Sequence, residues 1–381
     1  MERFLYLNDK KNVKKDTNTK KKICFFALDM VEKGGIQRVV VELANSMKID
    51  YEVHILTFPN SSGHIDIPYE FDKENIVVSE VCSYNKFFIF NKIKNYLLIL
   101  KRIREYIQKN NISVFLSVGM GTVVWSCLAQ VFLPCKYICC DHTSFLRKER
   151  WAVRGRFLSR FFADNIVVLT YQDAESWRCR KVSVIYNPSP YASEHHRILF
   201  NPEIKKRKII ALGRFVEVKG FERLLDIWYE IEKNNCYDYT LEILGEGPLE
   251  KHLKAIVCDK KMKNVSILPF RKDVANLYRE SKIQVLTSYF EGLPMVLIEG
   301  QSFCLPAVSY DIPSGPSEVI KDGETGFLIK NNDQSCFVEK LTTLMKNDDI
   351  LNKMALNCMT ERERFSSQKV LREWTSIFES K

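Results

Sequence analysis

The feature that most constrains this chain is a unit repeated along both halves: a short apolar run, a glycine-containing or polar loop, and a stretch with the spacing of an amphipathic helix. Residues 23–28 (Ile-Cys-Phe-Phe-Ala-Leu) run through Gly34-Gly35 into 36–44, and residues 208–212 run through 213–220 into 221–228. Apolar runs without polar alternation read as strands covered on both faces, which is the pattern of a parallel sheet. Parallel neighbours need a crossover segment, and the helical stretches supply it. Further runs at 51–58, 76–81, 114–118, 136–140, 166–169 and 182–186 continue the first half. Those at 241–244, 265–268, 283–286, 306–310 and 326–329 continue the second.

A length of 381 residues suits two domains of this kind. Asn187-Pro188-Ser189-Pro190 reads as the exit from the first, because each proline restricts itself and its predecessor. The expected fold class is therefore α/β: two doubly wound, Rossmann-like domains facing a central cleft. The expected organisation is a flexible basic tail at 1–22, an N-terminal domain at 23–190, a linker at 191–205, and a C-terminal domain at 206–362. A final helix at 363–381, with Trp374 and Phe378, is expected to pack back on the N-terminal domain. The twelve cysteines are scattered and lie mostly in apolar runs, so reduced thiols are expected. No apolar run is long enough to span a bilayer.

Net charge is +10, and it is one-sided. Residues 1–200 hold 30 Lys and Arg against 20 Asp and Glu, while the rest of the chain holds 27 of each. Two basic amphipathic segments, 88–109 and 147–162, carry much of the excess. Each could pack within its own domain or rest on an anionic membrane surface. Arginines interleaved with aromatics also suit nucleic acid, but no nucleic-acid-binding signature accompanies them, and no such partner is expected.

Ligands in open α/β sheets sit at the carboxyl ends of strands. Four loops there carry chemistry. Gly34-Gly35 could let backbone approach a phosphate, or simply turn. His142 follows 136–140 and could be structural or face the cleft. Cys139, Cys140 and His142 lack a second ligand pair of metal spacing, so no metal site is expected. Arg214 and Lys219 share one loop and suit a diphosphate, the first as a fork and the second as a point charge. Phe270 and Arg271 could hold a base. Glu291 and Glu299 flank a strand–loop–helix turn at Gly292, Leu293 and Pro294. Alone they could be an acid–base pair for hydrolysis. Beside two cations they suit the hydroxyls of a nucleotide-sugar.

In their order along the chain these motifs resemble the retaining glycosyltransferases of family 4, which have the GT-B fold. The resemblance rests on Gly34-Gly35, Gly213-Arg214 with Lys219-Gly220, Leu244 to Pro248, Glu291 and Glu299 with seven residues between them in a stretch that begins Glu-Gly-Leu-Pro-Met, and Asp322 to Leu328. It implies that Arg214 and Lys219 bind the donor diphosphate and that Glu299 takes the ribose hydroxyls. It implies that Glu291, with the amides of Gly292 and Leu293, holds the transferred sugar, and that Gly35 packs against phosphate from the other domain. His142 would be the cleft histidine of an acceptor-binding N-terminal domain. The enzyme would be a hexosyltransferase, moving a hexose or N-acetylhexosamine from a nucleotide-sugar, UDP-linked by preference, without a metal cofactor. The absence of an Asp-x-Asp pair agrees with that. The acceptor would be an oligosaccharide or a polyprenyl-diphosphate-linked saccharide in O-antigen, capsule or exopolysaccharide synthesis. The protein would sit in the cytoplasm, peripheral on the inner face of the plasma membrane. A sugar-nucleotide epimerase of the same fold and a non-catalytic nucleotide-sugar-binding subunit are the alternatives.

Overall fold

The computed structural model describes residues 20–31, 34–60, 63–82, 92–145, 148–191, 198–233, 238–271 and 273–380. The tail before residue 20, the start of the basic segment 88–109, and Arg147 lie outside the described residues. Among the described residues the strands form two sheets. The first contains β1 (Lys22–Asp29), β2 (Glu52–Phe58), β3 (Ile76–Glu80), β4 (Val114–Val118), β5 (Lys136–Asp141), β6 (Asn165–Val168) and β7 (Val182–Val184), in the order β3-β2-β1-β4-β5-β6-β7. The second contains β8 (Lys208–Leu212), β9 (Thr240–Gly245), β10 (Val265–Pro269), β11 (Ile283–Leu286), β12 (Ala307–Asp311) and β13 (Gly326–Lys330), in the order β10-β9-β8-β11-β12-β13. All recorded strand pairs are parallel.

The helices are α1 (Gly35–Met47), α2 (Lys92–Lys109), α3 (Val123–Ala129), α4 (Arg150–Phe162), α5 (Tyr171–Trp177), α6 (Phe221–Lys233), α7 (Glu250–Asp259), α8 (Ala275–Glu280), α9 (Met295–Ser302), α10 (Pro316–Val319), α11 (Gln334–Lys346), α12 (Asp348–Glu361) and α13 (Ser367–Glu379). They cover both faces of each sheet, which is why the strands read as unbroken apolar runs. Phe25 and Ala27 point to a core shared with α1 and α13, whereas Cys24 and Phe26 point to one shared with α2, α3 and α4. The C-terminal helix thus lies against the first sheet: Trp374 and Phe378 are buried with Val40 and Met47. Lys136 Nζ donates to the carbonyls of Ile377 (2.6 Å) and Ser380 (2.5 Å). A cation there complements the negative end of the α13 dipole.

Of the two readings of the basic segment at 147–162, packing within the domain does not use most of its aromatics. The inward residues of α4 are Ala152, Gly155, Arg156 and Ser159. Trp151, Val153, Phe157 and Phe161 face outward. The reason is close packing on the turn before α3: a Cβ on Gly155 would stand 3.1 Å from the Met120 carbonyl oxygen. Only small residues fit there, so the aromatics are left outside.

Each strand order reverses at one place, between β1 and β4 in the first sheet and between β8 and β11 in the second. Such switch points open a crevice at the strand carboxyl ends. The Gly34-Gly35, Arg214–Lys219 and Glu291 loops follow β1, β8 and β11.

Candidate active site

The loops after β8 and β11 are laced together. Tyr289 N donates to Val218 O (2.8 Å) and Thr287 Oγ1 to Gly220 O (3.0 Å). Gly220 has φ +62°, and a Cβ there would fall 2.1 Å from Thr287 O, so only glycine fits. This contact brings Lys219 to Glu291: Lys219 Nζ donates to Glu291 Oε1 at 2.7 Å, and Ser288 Oγ donates to the same oxygen at 2.6 Å. Arg214 stands exposed on the same loop, and its guanidinium has no hydrogen bond or ion pair among the described residues. It is a cation available to an incoming anion.

Arg223 on α6 clamps the loop before Glu291 from beneath. Its guanidinium donates to Thr287 O (2.5 Å) and to Ser288 O, and also to Asn331 Oδ1 (3.0 Å). It is sandwiched between the rings of Tyr289 and Tyr310, 4.0 and 4.1 Å from their centroids. In the sequence this arginine looks like any surface charge on an amphipathic helix.

Glu299 is 4% exposed. It points from α9 toward the other domain, where Arg38 Nη1 on α1 donates to its Oε1 at 2.9 Å. Tyr278 on α8 donates to its Oε2, also at 2.9 Å. Burial pushes the Glu299 carboxyl above its ordinary range, and Arg38 and Tyr278 pull it back. Burial is the largest influence and works against the charge on Arg38, but Glu299, Tyr191, Glu42 and Tyr278 together outweigh it, and the guanidinium holds its proton more firmly than usual. Pro294 caps α9 rather than opening it, which leaves Glu299 one turn into the helix. Sequence reasoning missed Arg38 and Tyr278. The one signal was a lone cation in the first turn of the helix after Gly34-Gly35.

The two domains close on each other around these groups. A Cβ on Gly292 would lie 3.5 Å from His142 O, so the two loops approach to within one methyl group across the cleft. Gly35 faces open space, with nothing within 4 Å of a Cβ placed on it. His142 is half-buried there, nothing among the described residues hydrogen-bonds its ring, and burial holds its imidazole down to about 4. It is neutral at pH 7. Its loop is held by Arg156, which donates to Asp141 Oδ2 (2.8 Å) and to the carbonyls of Phe145 and Ser144 (2.9 Å each). The Leu293 side chain is core, packed with Leu169, Leu286 and Ile298, so only its backbone faces the loop.

Phe270 is exposed, and Arg271 lines a neighbouring cavity of about 450 Å³ with Lys208, Glu242 and Asp273. Among the described residues no hydrogen bond or ring contact joins either of them to the Lys219–Glu291 pair. Among the described residues no cluster of three or more His, Cys, Asp or Glu side chains has the arrangement of a metal site.

Two family profiles match the chain, Glycosyltransferase Family 4 over residues 33–189 and Glycosyl transferases group 1 over residues 194–359. The chain carries both glycosyltransferase domains, one after the other. An uncharacterized glycosyltransferase of Haemophilus influenzae is 28% identical over 365 residues, which is 94% of this chain and 99% of that one. A Campylobacter jejuni alpha-1,4-N-acetyl-D-galactosaminyltransferase, named for an undecaprenol-diphosphate-linked acceptor, is 25% identical over 92% of this chain and 97% of its own. Among solved structures, S. aureus TarM in complex with fondaparinux, alpha-GlcNAc-glycerol and UDP superposes with a TM-score of 0.76 at 16% identity, over 94% of this chain and 100% of that one. The glycosyltransferase fold is GT-B: two Rossmann-like domains, as the two sheets are here.

Proposed function

We propose that this glycosyltransferase moves a hexose or N-acetylhexosamine from a UDP-sugar to a lipid-diphosphate-linked saccharide in bacterial polysaccharide synthesis, with retention of configuration. The observation that carries this reading is the Lys219–Glu291 pair at the second sheet's switch point, with the exposed Arg214 on the same loop as Lys219. Arg214 and Lys219 hold the diphosphate. Glu291 and the amides of Gly292 and Leu293 hold the sugar, Glu299 holds the ribose, Phe270 and Arg271 hold the base, and Gly35 admits the phosphates from across the cleft. UDP is preferred because TarM was crystallised with it, and the lipid-diphosphate acceptor because the Campylobacter relative is named for one.

In the reaction the bond between the anomeric carbon and the diphosphate oxygen breaks. The acceptor oxygen bonds to that carbon on the face the diphosphate leaves, and the acceptor proton passes to the departing phosphate oxygen. Arg214 and Lys219 put fixed positive charge where negative charge develops, which lowers the barrier without reorganisation during the step. When donor enters, Lys219 exchanges part of its bond to Glu291 for phosphate, and Glu291 is released toward sugar hydroxyls. This charge pair does the work that a divalent cation does at other sites. Neutral His142 faces the acceptor side and can accept a hydrogen bond from its hydroxyl.

The acceptor brings the enzyme to a membrane. Trp151, Val153, Phe157 and Phe161 on α4, Leu97 and Leu98 on α2, and Phe132 beyond α3 are exposed together with Lys101, Arg102, Arg150 and Arg154. Helix α3 packs between α2 and α4, so these residues share one side of the domain. Aromatics among arginines suit an anionic leaflet, here the inner face of the plasma membrane. No helix among the described residues is long and apolar enough to cross a bilayer.

The test is a panel of UDP- and GDP-sugars screened by thermal shift. The stabilising donors are then assayed for transfer to a polyprenyl-diphosphate saccharide, with the product anomer read by NMR. Transfer with retention is expected. Donor epimerised or hydrolysed at the same rate without acceptor, or an inverted product, would overturn the reading. Co-sedimentation should show binding to anionic vesicles that salt reverses, and equal binding to neutral vesicles at low salt would remove the electrostatic docking.

A further inference from the structure

The carboxylate assigned to the donor ribose is built from both domains. Glu299 is buried, and each of its oxygens already accepts one bond, Oε1 from Arg38 of the N-terminal domain and Oε2 from Tyr278 of the C-terminal domain, both at 2.9 Å. A carboxylate oxygen accepts in two directions. One direction therefore stays open on each oxygen, which matches the two adjacent hydroxyls of a ribose. The two protein partners also fix the plane of the carboxylate. Tyr278 is itself held by stacking on Phe303 with centroids 5.6 Å apart. Arg38 is held by the start of α1, where its amide donates to Gly34 O (3.2 Å). A recognition group is precise when its own partners lock it.

We propose that Arg38 is a positioning residue for donor recognition: it keeps the Glu299 carboxylate charged and aimed from across the cleft, so that a nucleoside diphosphate is gripped fully only when the two domains face each other. The proposal rests on the reading of Glu299 as the ribose ligand. Its consequence is that the nucleotide site, whose other assigned side chains lie in the C-terminal half, is incomplete without one residue of the other domain. Other groups that face this carboxylate or its partner are Glu42 on α1, Tyr69 ahead of β3, Tyr191 beyond β7 and Tyr278 on α8. The tyrosines are all pushed above their ordinary range and stay neutral. Without Arg38, no other cation among the described residues offsets the burial of the carboxylate, and its charged form is disfavoured.

The experiment is calorimetric titration of the full chain between pH 6 and 8.5 with UDP, or with GDP if UDP does not bind, and with the 2′-deoxy form of the same nucleotide. Arg38→Ala should weaken nucleotide binding at pH 7 about tenfold and give it a slope, with affinity rising up to about tenfold per pH unit until Glu299 is ionised. Wild type should be nearly flat, and the 2′-deoxy nucleotide should lose less from the same substitution. In the Arg38→Ala background the slope should vanish with Glu299→Gln and survive Glu42→Gln. If Arg38→Ala does not fold, Arg38→Lys carries the test. It should bind a few-fold more weakly with a flat profile, and wild-type affinity in that variant would overturn the proposal. Three other outcomes separate the ideas. Wild-type binding and slope in Arg38→Ala, with Glu299→Gln impaired, would end the role of Arg38 and spare that of Glu299. Unimpaired binding in Glu299→Gln would end the ribose assignment and this proposal with it. Equal, pH-independent losses for both nucleotides in Arg38→Ala would mean that Arg38 serves the phosphates or the fold.

Discussion

Removing Arg156 should destabilise the N-terminal domain in a way that depends on pH. Its side chain is 6% exposed, and that of its partner Asp141 is 1% exposed. Arg156→Ala deletes the bond to Asp141 at 2.8 Å and those to two loop carbonyls. It leaves a buried carboxylate whose remaining partner is Thr143, through its amide and hydroxyl. Breaking a buried pair from one side costs about 3–5 kcal/mol. For a domain of this size, that lowers the melting temperature by about 6–20 °C. Burial already pushes the Asp141 carboxyl up, with Arg156 pulling it back only in part. In the variant it rises further. An acid whose folded value is raised contributes stability below its unfolded value and loses it as pH climbs through the folded value. The variant should therefore be least impaired near pH 4–5 and most impaired at pH 8. Differential scanning calorimetry from pH 4 to 8 measures this, and Arg156→Ala with Asp141→Asn should recover part of the loss at pH 8. A loss below about 1 kcal/mol, or one independent of pH, would refute the reasoning.

Three further outcomes are expected. Arg214→Ala should lower kcat about 10²–10³-fold with an unchanged melting temperature, because the side chain is exposed and removal of a preorganised charge contact costs about that much; a change under about fivefold in steady-state assays would count against its role. His142, held down to about 4, should stay neutral throughout the assay range, so the rate should show no inflection near pH 6.5 that His142→Gln removes, and its burial should cost stability only as pH falls from 6.5 toward 4. Prolonged EDTA treatment should leave turnover intact, and loss of turnover restored by Mg²⁺ or Mn²⁺ would replace the Arg214 and Lys219 account with a metal-assisted one.

Most strands were legible because they are short runs buried along their length, as β1, β4, β5 and β11 are, and burial leaves a plain mark on composition. The loops that carry chemistry were legible for a related reason. They sit where strands end, and glycine marks the places where two loops touch, as Gly220 does against Thr287. Residues that act from a distance left no such mark. Arg38 and Glu299 are 261 positions apart, and no spacing rule links them. Arg223 and Arg156 each sit among other charges on an amphipathic helix, and the same residue type serves as a solvated face and as a buried clamp. In α4 the distinction was in the sequence, though not in its aromatics: Ala152, Gly155, Arg156 and Ser159 recur at helical spacing, and a stripe of small residues around one arginine marks the face that packs closely.

That stripe has a consequence for how acceptor and donor halves communicate. Helix α4 presents Phe157 and Phe161 outward and, one residue before Phe157, turns Arg156 inward onto the loop of His142. The His142 loop approaches Gly292, one residue from Glu291, leaving room there for about one methyl. A displacement of α4 would therefore reach the Glu291 loop through a buried guanidinium and this close approach of backbone. Cores close-packed in this way transmit shifts rather than absorb them. The coupling is measurable as a change in kcat, at saturating donor, between anionic vesicles and detergent-free buffer with a soluble acceptor. It should change in Gly292→Ala, whose added methyl would make an ordinary van der Waals contact with the His142 carbonyl oxygen at 3.5 Å without deleting a charge. If the vesicle effect on kcat is the same in that variant as in wild type, the two halves respond to the membrane independently.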